Sequence, residues 1–597
     1  VVEFAAKECG IRHLEAGGGA MFQSPYFYSR ENAFDVMDAF RTAAGPDADL
    51  QTLARGISVV ALKAQPRDII KLHADMFKKH GMTTIRNFDA LNDVSNLIWS
   101  GQCIHNAGLK HEVVVTMMEL PPGCSGAHDA AFYEKTLKKI LAADIPYDSV
   151  CFKDASGTAC PQKVHETIRR ARKLLGAKTK LVFHSHDTAG TCVLAYKAAI
   201  EAGADQIDLA LAPVSGGTSQ PDLITMWHAL RGTDYTLDID IEKIIRLSEM
   251  FKNAMKDYFT PPEATKVEPV IPFFPMPGGA LTANTQMLRD NNLMDKYPQM
   301  IAAMGEAVRK GGFGTSVTPV SQFYFQQAFN NVMFGPWKRI ADGYGRMVLG
   351  YFGKTPVPPD PEVVKAASEQ LKLEPTKDHL AAIEADKKRG VAATRAVLEK
   401  EGLPVTDENL FIVASCEEKG VAFLKGNGTI GVRKNEPAGV AAAAVKPAPT
   451  GPRYYKVSSF GQDMLIKLDG RKIEVNGIDY DLAVSKTTAP SPRKLAAVKA
   501  AAAAASAATA GPSSPPPPPA PSAAYGGGTP VVTPLPGLVL RIEKQVGATV
   551  KPGETILVLE STKMETAMSS PVTGVIESIP VTLGQQVQAG TAVAIVR

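Results

Sequence analysis

Between residues 11 and 215, short apolar and β-branched runs alternate with stretches whose apolar positions recur every three to four residues. That alternation is the signature of a parallel sheet built from βα units. Seven runs read as strands, at 13–16, 50–55, 84–89, 112–117, 149–154, 180–186 and 206–210. Helical patterns at 66–80, 130–143, 161–175 and 191–202 separate most of them. Eight such strands close a barrel, and residues 1–10 read as the tail of an amphipathic helix ending at Gly10, the helix that follows a first strand. We therefore expect an α/β fold, a (β/α)8 TIM barrel over 1–260 whose first strand is missing and would precede Val1. An open doubly wound sheet is the alternative, but no GxGxxG turn follows any of these strands, which argues against dinucleotide binding.

Longer helical patterns with Pro/Gly-rich joints follow at 261–437 and predict a mostly helical domain. Residues 438–530 read as an Ala/Pro-rich linker around a short β island at 454–484. Of the 29 residues 496–524, 21 are Ala or Pro, and Pro515–Pro519 favours extended polyproline II. Such a segment reaches at most ~90 Å at ~3.1 Å per residue, the build of a swinging arm. Residues 531–597 contain an internal repeat: Gly537, Gly547 and Gly553 recur as Gly574, Gly584 and Gly590, with alternating apolar positions between them. Duplication of this kind predicts two similar strand sets in a flattened β-sandwich. Lys563 falls at the junction of the halves, in Leu559-Glu560-Ser561-Thr562-Lys563-Met564-Glu565, where a hairpin turn would project its amine into solvent.

The chain has 597 residues, 45% hydrophobic and 21% charged, with a net charge of +4. These values exclude wholesale disorder and a membrane-embedded chain, and give no electrostatic case for nucleic acid. Seven scattered cysteines without a CxxC pair read as reduced thiols and predict a cytoplasmic protein. No apolar run approaches the ~20 residues that span a bilayer, and no secretory leader is recognisable.

Two constellations carry candidate chemistry. In Phe183-His184-Ser185-His186 the imidazoles are two residues apart and share one side of a strand end, an arrangement suited to a divalent metal. A bare His-x-His pair is also compatible with two structural histidines. Lys153-Asp154 ends the preceding strand, so its side chains should meet the histidines at the C-terminal face of the barrel. A lysine ligates a metal only when neutral or carboxylated. Lys563 combines the duplicated glycine frame, the turn and the arm upstream.

The surroundings of Lys563 resemble a biotinyl carrier domain. Met564 follows the lysine as in the biotinyl motif, although Thr562 stands where that motif has Met, and lipoyl domains share the fold. Residues 11–361 resemble the carboxyltransferase subunit of biotin-dependent enzymes: the oxaloacetate decarboxylase alpha chain, the carboxyltransferase-bearing subunit of two-subunit pyruvate carboxylase, and the transcarboxylase large subunit. The matching segments include Glu15-Ala16-Gly17-Gly18, Leu53-Ala54-Arg55-Gly56, Phe88-Asp89-Ala90-Leu91-Asn92-Asp93, Phe152-Lys153-Asp154 and His184-Ser185-His186. Ser215-Gly216-Gly217-Thr218-Ser219-Gln220-Pro221, Pro277-Gly278-Gly279 and Val317-Thr318-Pro319-Val320-Ser321-Gln322 continue the series.

The resemblance implies biotin on Lys563 and a Zn, Mn or Co ion held by carboxylated Lys153, His184 and His186. Arg55 would bind the carboxylate of a 2-oxo acid, oxaloacetate or pyruvate, and Thr218 would relay a proton between biotin and the enolate. It also implies a biotin protein ligase, a homo-oligomer, and either a separate biotin carboxylase or membrane sodium-pump decarboxylase subunits as partners, the latter bringing membrane association. An aldolase- or lyase-type metal barrel and a non-catalytic carrier scaffold are the rival readings. This chain departs from the family in lacking the Arg-Asp-Ala-x-Gln first strand, in Ser185, and in 57–65 and 118–124.

Overall fold

β1 (His13–Glu15), β2 (Asp49–Ala54), β3 (Thr84–Asn87), β4 (Lys110–Thr116), β5 (Ser149–Asp154), β6 (Lys180–Ser185) and β7 (Gln206–Ile207) pair in parallel and in chain order in the computed structural model. The structure describes all residues except 18, 429, 436–452, 460–461, 470–471, 476–477, 482–527, 534–536, 562–563 and 589. The central strands are buried along most of their length, as expected of a parallel sheet covered on both faces. Alternate residues divide between two cores. Val113, Val115, Phe152 and Phe183 pack outward with Tyr133, Ile168 and Tyr196 of the flanking helices. Val114, Cys151 and Val182 face the interior.

The expected helices form as Arg67–Lys79, Ala130–Ala142, Pro161–Leu175 and Cys192–Glu201. Asp129 caps the second by accepting from Phe132 N at 2.7 Å, and Pro161 opens the third. Among the described residues β1 and β7 do not pair with each other, so the sheet is a curled, open, seven-stranded part of the expected barrel. The last strand is shorter than its apolar pattern predicts. After Ile207 the chain leaves the sheet, and Ala210 bridges to Asp222 instead.

Helices from Gly278–Asp290 to Asp407–Leu424 make up the following region. They share a core with the helices beside the first barrel strands: Phe411 packs edge-on to Phe22 at 5.2 Å between ring centroids and to Phe77 at 5.9 Å. No helix among the described residues is long and apolar enough to cross a membrane. Residues Val1–Asn435 and Gly528–Arg597 form one compact unit and Glu436–Gly527 a second. The described part of the second unit is a four-stranded antiparallel sheet of β8 (Arg453–Ser459), β9 (Gln462–Asp469), β10 (Lys472–Val475) and β11 (Ile478–Asp481).

The C-terminal residues form two four-stranded sheets. One orders β12 (Thr529–Val532), β19 (Ala592–Val596), β17 (Gly574–Ser578) and β14 (Thr549–Val550). The other orders β16 (Met564–Ser569), β15 (Thr555–Ser561), β13 (Gly537–Ile542) and β18 (Gln586–Val587). The glycine repeat is structural. A Cβ on Gly537 would lie 2.8 Å from the Glu560 carbonyl oxygen, and one on Gly574 2.4 Å from that of Arg597. Gly547, Gly553, Gly584 and Gly590 all adopt positive φ, between 79° and 88°. Each half therefore uses its glycines in the same way.

Candidate active site

Lys153 and His184 are register partners on β5 and β6, so their side chains emerge side by side on the inner face. His186 lies two residues beyond His184, on the same side. The two Nε2 atoms are 3.2 Å apart. His184 Nδ1 is 2.8 Å from the Asp208 carboxylate and His186 Nδ1 is 2.6 Å from the Thr218 carbonyl. Both acceptors select the tautomer with the proton on Nδ1, which leaves two Nε2 lone pairs converging on one place. Burial pushes the imidazoles down, to about 3 for His184 against the pull of Asp208, and to about 4 for His186. They are neutral at physiological pH, with Nε2 free to donate a lone pair. Gln220 Nε2, 3.3 Å from His186 Nε2, also faces them.

Lys153 is buried, with Nζ 4.5 Å from the centroid of the Phe88 ring. Burial and the nearby Arg86 lower its ammonium to about 8, with Glu15 opposing. About a tenth of the side chain is then the nucleophilic free amine at pH 7, several hundred times the share in an ordinary lysine. Among the described residues no group of three or more His, Cys, Asp and Glu side chains is placed to hold a metal ion. Two imidazoles and a readily deprotonated lysine do come together, and that donor set fits a divalent ion once the amine is neutral or carboxylated.

Asp154 does not join them. Period two turns it away from the inner face, where its carboxylate accepts from the backbone of Ser156, Gly157 and Ala159 and from the Ser156 hydroxyl at 2.7 Å. It shapes its own loop rather than meeting the histidines. Ser185 also faces outward, its amide 3.2 Å from the Tyr196 hydroxyl.

Arg55 is buried at the end of β2 and lines the same cavity as Lys153, His184, His186 and Thr218. Its Nη1 donates to the carbonyls of Val60 and Ala61 at 2.6 and 3.0 Å. The divergent loop 57–65 thus folds around the guanidinium, with Val59 at a φ of 43°, a strained value for a β-branched residue. Burial alone lowers Arg55 to about 10, and no carboxylate pairs with it among the described residues. The Thr218 hydroxyl lies 3.1 Å from the Ala264 carbonyl and 3.0 Å from the Thr282 hydroxyl. The cavity is about 2270 Å³, larger than a small-molecule site needs, because it continues between β1 and β7 past Ile11, His13, Ile207 and Leu209.

Arg86, Glu112 and Asp208 were not recognisable as site residues by motif. Arg86, fully buried on β3, pairs with both carboxylates and lies 3.1 Å from His184 Nδ1. Burial opposes ionisation of Asp208, yet Arg86 and His184 hold its carboxyl well below the usual range. Charged residues inside otherwise apolar strands were the available signal. Thr282 had none, since it reaches Thr218 only through tertiary packing of the helix Gly278–Asp290.

Sequence models of three families match the chain: "HMGL-like" over 101–251, "Conserved carboxylase domain" over 271–476, and "Biotin-requiring enzyme" over 529–596. A pyruvate carboxylase subunit from Methanocaldococcus jannaschii is 26% identical over 93% of this chain and 88% of its own length. The chain matches a biotin-dependent carboxyltransferase with a C-terminal biotinyl domain. The 2-oxoglutarate carboxylase large subunit of Hydrogenobacter thermophilus, another relative, is 26% identical over 94% of this chain and 85% of its own. A solved structure, the carboxyl transferase domain of Rhizobium etli pyruvate carboxylase with pyruvate and biocytin, shares the fold at a TM-score of 0.62. It is 22% identical, over 80% of this chain and 82% of that one. As a biotin-dependent carboxyltransferase the chain carries covalent biotin in its C-terminal domain. Lys563 itself lies outside the described residues, between β15 and β16, which pair from Ser561 opposite Met564.

Proposed function

We propose that this chain moves a carboxyl group between biotin on Lys563 and a small 2-oxo acid, with oxaloacetate and pyruvate as the pair. The observation that carries the reading is the convergence of two neutral Nε2 lone pairs, 3.2 Å apart, beside a buried lysine lowered to about 8. His184, His186 and Lys153 would hold the divalent ion, which supplies Lewis acidity to an enolate oxygen. Biotin, when attached, supplies the ureido nitrogen that exchanges the carboxyl group. Arg55, buried without a carboxylate partner among the described residues, binds the carboxylate of the 2-oxo acid. The Thr218 hydroxyl both donates and accepts, and Thr282 beside it fixes its orientation, so one proton can pass without a charged intermediate on the protein. A separate biotin carboxylase, or decarboxylase subunits in the opposite direction, complete the cycle.

The test is twofold. Streptavidin should label the full chain from a ligase-competent host and not a Lys563→Arg variant. The biotinylated, metal-loaded protein should form pyruvate from oxaloacetate, and Thr218→Ala should lose this while keeping its metal. Labelling that survives Lys563→Arg removes Lys563. Labelled protein that transfers only with 2-oxoglutarate or its carboxylated product changes the substrate, and one inactive with both is a carrier scaffold.

A further inference from the structure

Among the described residues the carrier domain meets the rest of the chain through an ion pair and a hydrogen bond. We propose that the face formed by Phe27, Tyr28, Arg339 and Lys419 is a docking surface for this chain's own carrier domain, and that Tyr28 joins the contact to a strap framing the cavity mouth. The inference rests on the carboxyl-transfer reading, because it concerns how the biotin-bearing domain is held near the cavity.

These two contacts come from the strands on either side of residues 562–563. Glu560, near the end of β15, meets Lys419 Nζ at 3.0 Å, with side chains 12% and 33% exposed. The Ala567 carbonyl on β16 accepts from Arg339 Nη2 at 2.6 Å. Arg339 is largely desolvated and Lys419 Nζ sits 5.8 Å from the Phe27 ring centroid, so these are shielded cations rather than freely solvated ones. Lys419 owes its position to a break in the helix Asp407–Leu424. Glu417 adopts φ 47° and ψ −128°, strained for a non-glycine residue, and its carboxylate binds Lys63 Nζ at 2.8 Å.

Tyr28 belongs both to this surface and to the cavity lining. Its phenol senses Glu560, burial being the larger influence on it. Its carbonyl accepts from Gly431 N at 2.7 Å and Val432 N at 3.2 Å. From there the strap crosses to Asp257–Phe259: Phe259 N donates to the Arg433 carbonyl at 3.0 Å and Asn435 N to that of Asp257 at 2.8 Å. Tyr28, Gly431, Val432 and Arg433 all line the cavity. A carrier seated here is held beside the mouth, with the strap anchored on the same tyrosine.

A zero-length carbodiimide applied to the full biotinylated chain condenses a paired lysine and carboxylate into an amide with loss of water. Mass spectrometry should find Lys419 joined to Glu560, and a mixture of isotope-labelled and unlabelled chains should show the link within one chain. Lys419→Glu or Glu560→Lys should abolish the link and slow transfer to tethered biotin about 10-fold, as loss of a docking charge does, while transfer to added free biotin is unchanged. The double exchange should return tethered transfer to within about 3-fold of wild type. No Lys419–Glu560 link, a link only between chains, or a double variant no better than the singles overturns the docking surface. A link without transfer to free biotin supports the docking surface and sinks the carboxyl-transfer reading instead.

Discussion

Replacing Gly278 with alanine tests how His186 is held. A Cβ at this position would lie 1.9 Å from the Thr218 carbonyl oxygen and 2.9 Å from His186 Nδ1. Carbon approaches a carbonyl oxygen no closer than about 3.3 Å, so the Thr218 peptide must retreat by more than ~1 Å. That carbonyl now accepts from His186 Nδ1 at 2.6 Å, and such bonds fade beyond ~3.2 Å. Losing the group that orients a ligating imidazole costs about 10–100-fold in metal affinity, or ~1.4–2.7 kcal/mol. The overpacking itself should cost about 1–3 kcal/mol of stability. Gly279 supplies the control, since its Cβ would meet nothing within 4 Å and alanine is favoured over glycine in a helix by up to ~1 kcal/mol. Metal bound after equilibration in buffered zinc, read by plasma mass spectrometry beside the melting temperature, should fall for Gly278→Ala and hold for Gly279→Ala. Wild-type occupancy in Gly278→Ala, or equal loss in both variants, refutes the role of the Thr218 carbonyl.

The order and type of the barrel elements were legible because burial on both faces makes parallel strands near-continuous apolar runs. Val150–Phe152 and Leu181–Phe183 leave little else for those residues to do. The His-x-His side and its lysine neighbour followed from period two, as did the outward turn of Ser185. The same rule, applied one residue further, sets Asp154 apart from Lys153. What stayed hidden depends on contacts distant in sequence. β7 stops early because the residues beyond Ile207 have other partners: Asp208 turns to Arg86 and His184, and Ala210 N donates to the Pro221 carbonyl at 3.1 Å. The loop 57–65 showed its divergence but not that its carbonyls would grip Arg55. No local pattern marks Lys419 or Arg339, whose partners lie 141 and 228 residues away.

Two further outcomes follow from burial. Gly537→Ala and Gly574→Ala should destabilise the carrier domain by similar amounts, about 1–3 kcal/mol each, since either Cβ meets a backbone carbonyl; a melt in which only one of them matters breaks the equivalence of the halves. Lys153→Met should abolish transfer yet stabilise the metal-free protein, with a defined pH dependence. The folded lysine titrates near 8 and the unfolded one near its ordinary 10.5. Between those values the unfolded chain binds the proton and the folded chain does not, so this residue makes stability rise with pH across the window. Below pH 8 the full penalty applies, ~3 kcal/mol as an upper figure at ~1.36 kcal/mol per pH unit. Methionine removes it. Urea titrations of both proteins in metal-free, CO₂-depleted buffer should therefore show the variant ahead at pH 7 and the gap closing towards pH 10. A variant less stable at pH 7, or a gap that ignores pH, means that Lys153 is not held in a site that disfavours its charge, and the case for a neutral, carboxylatable ligand falls with it.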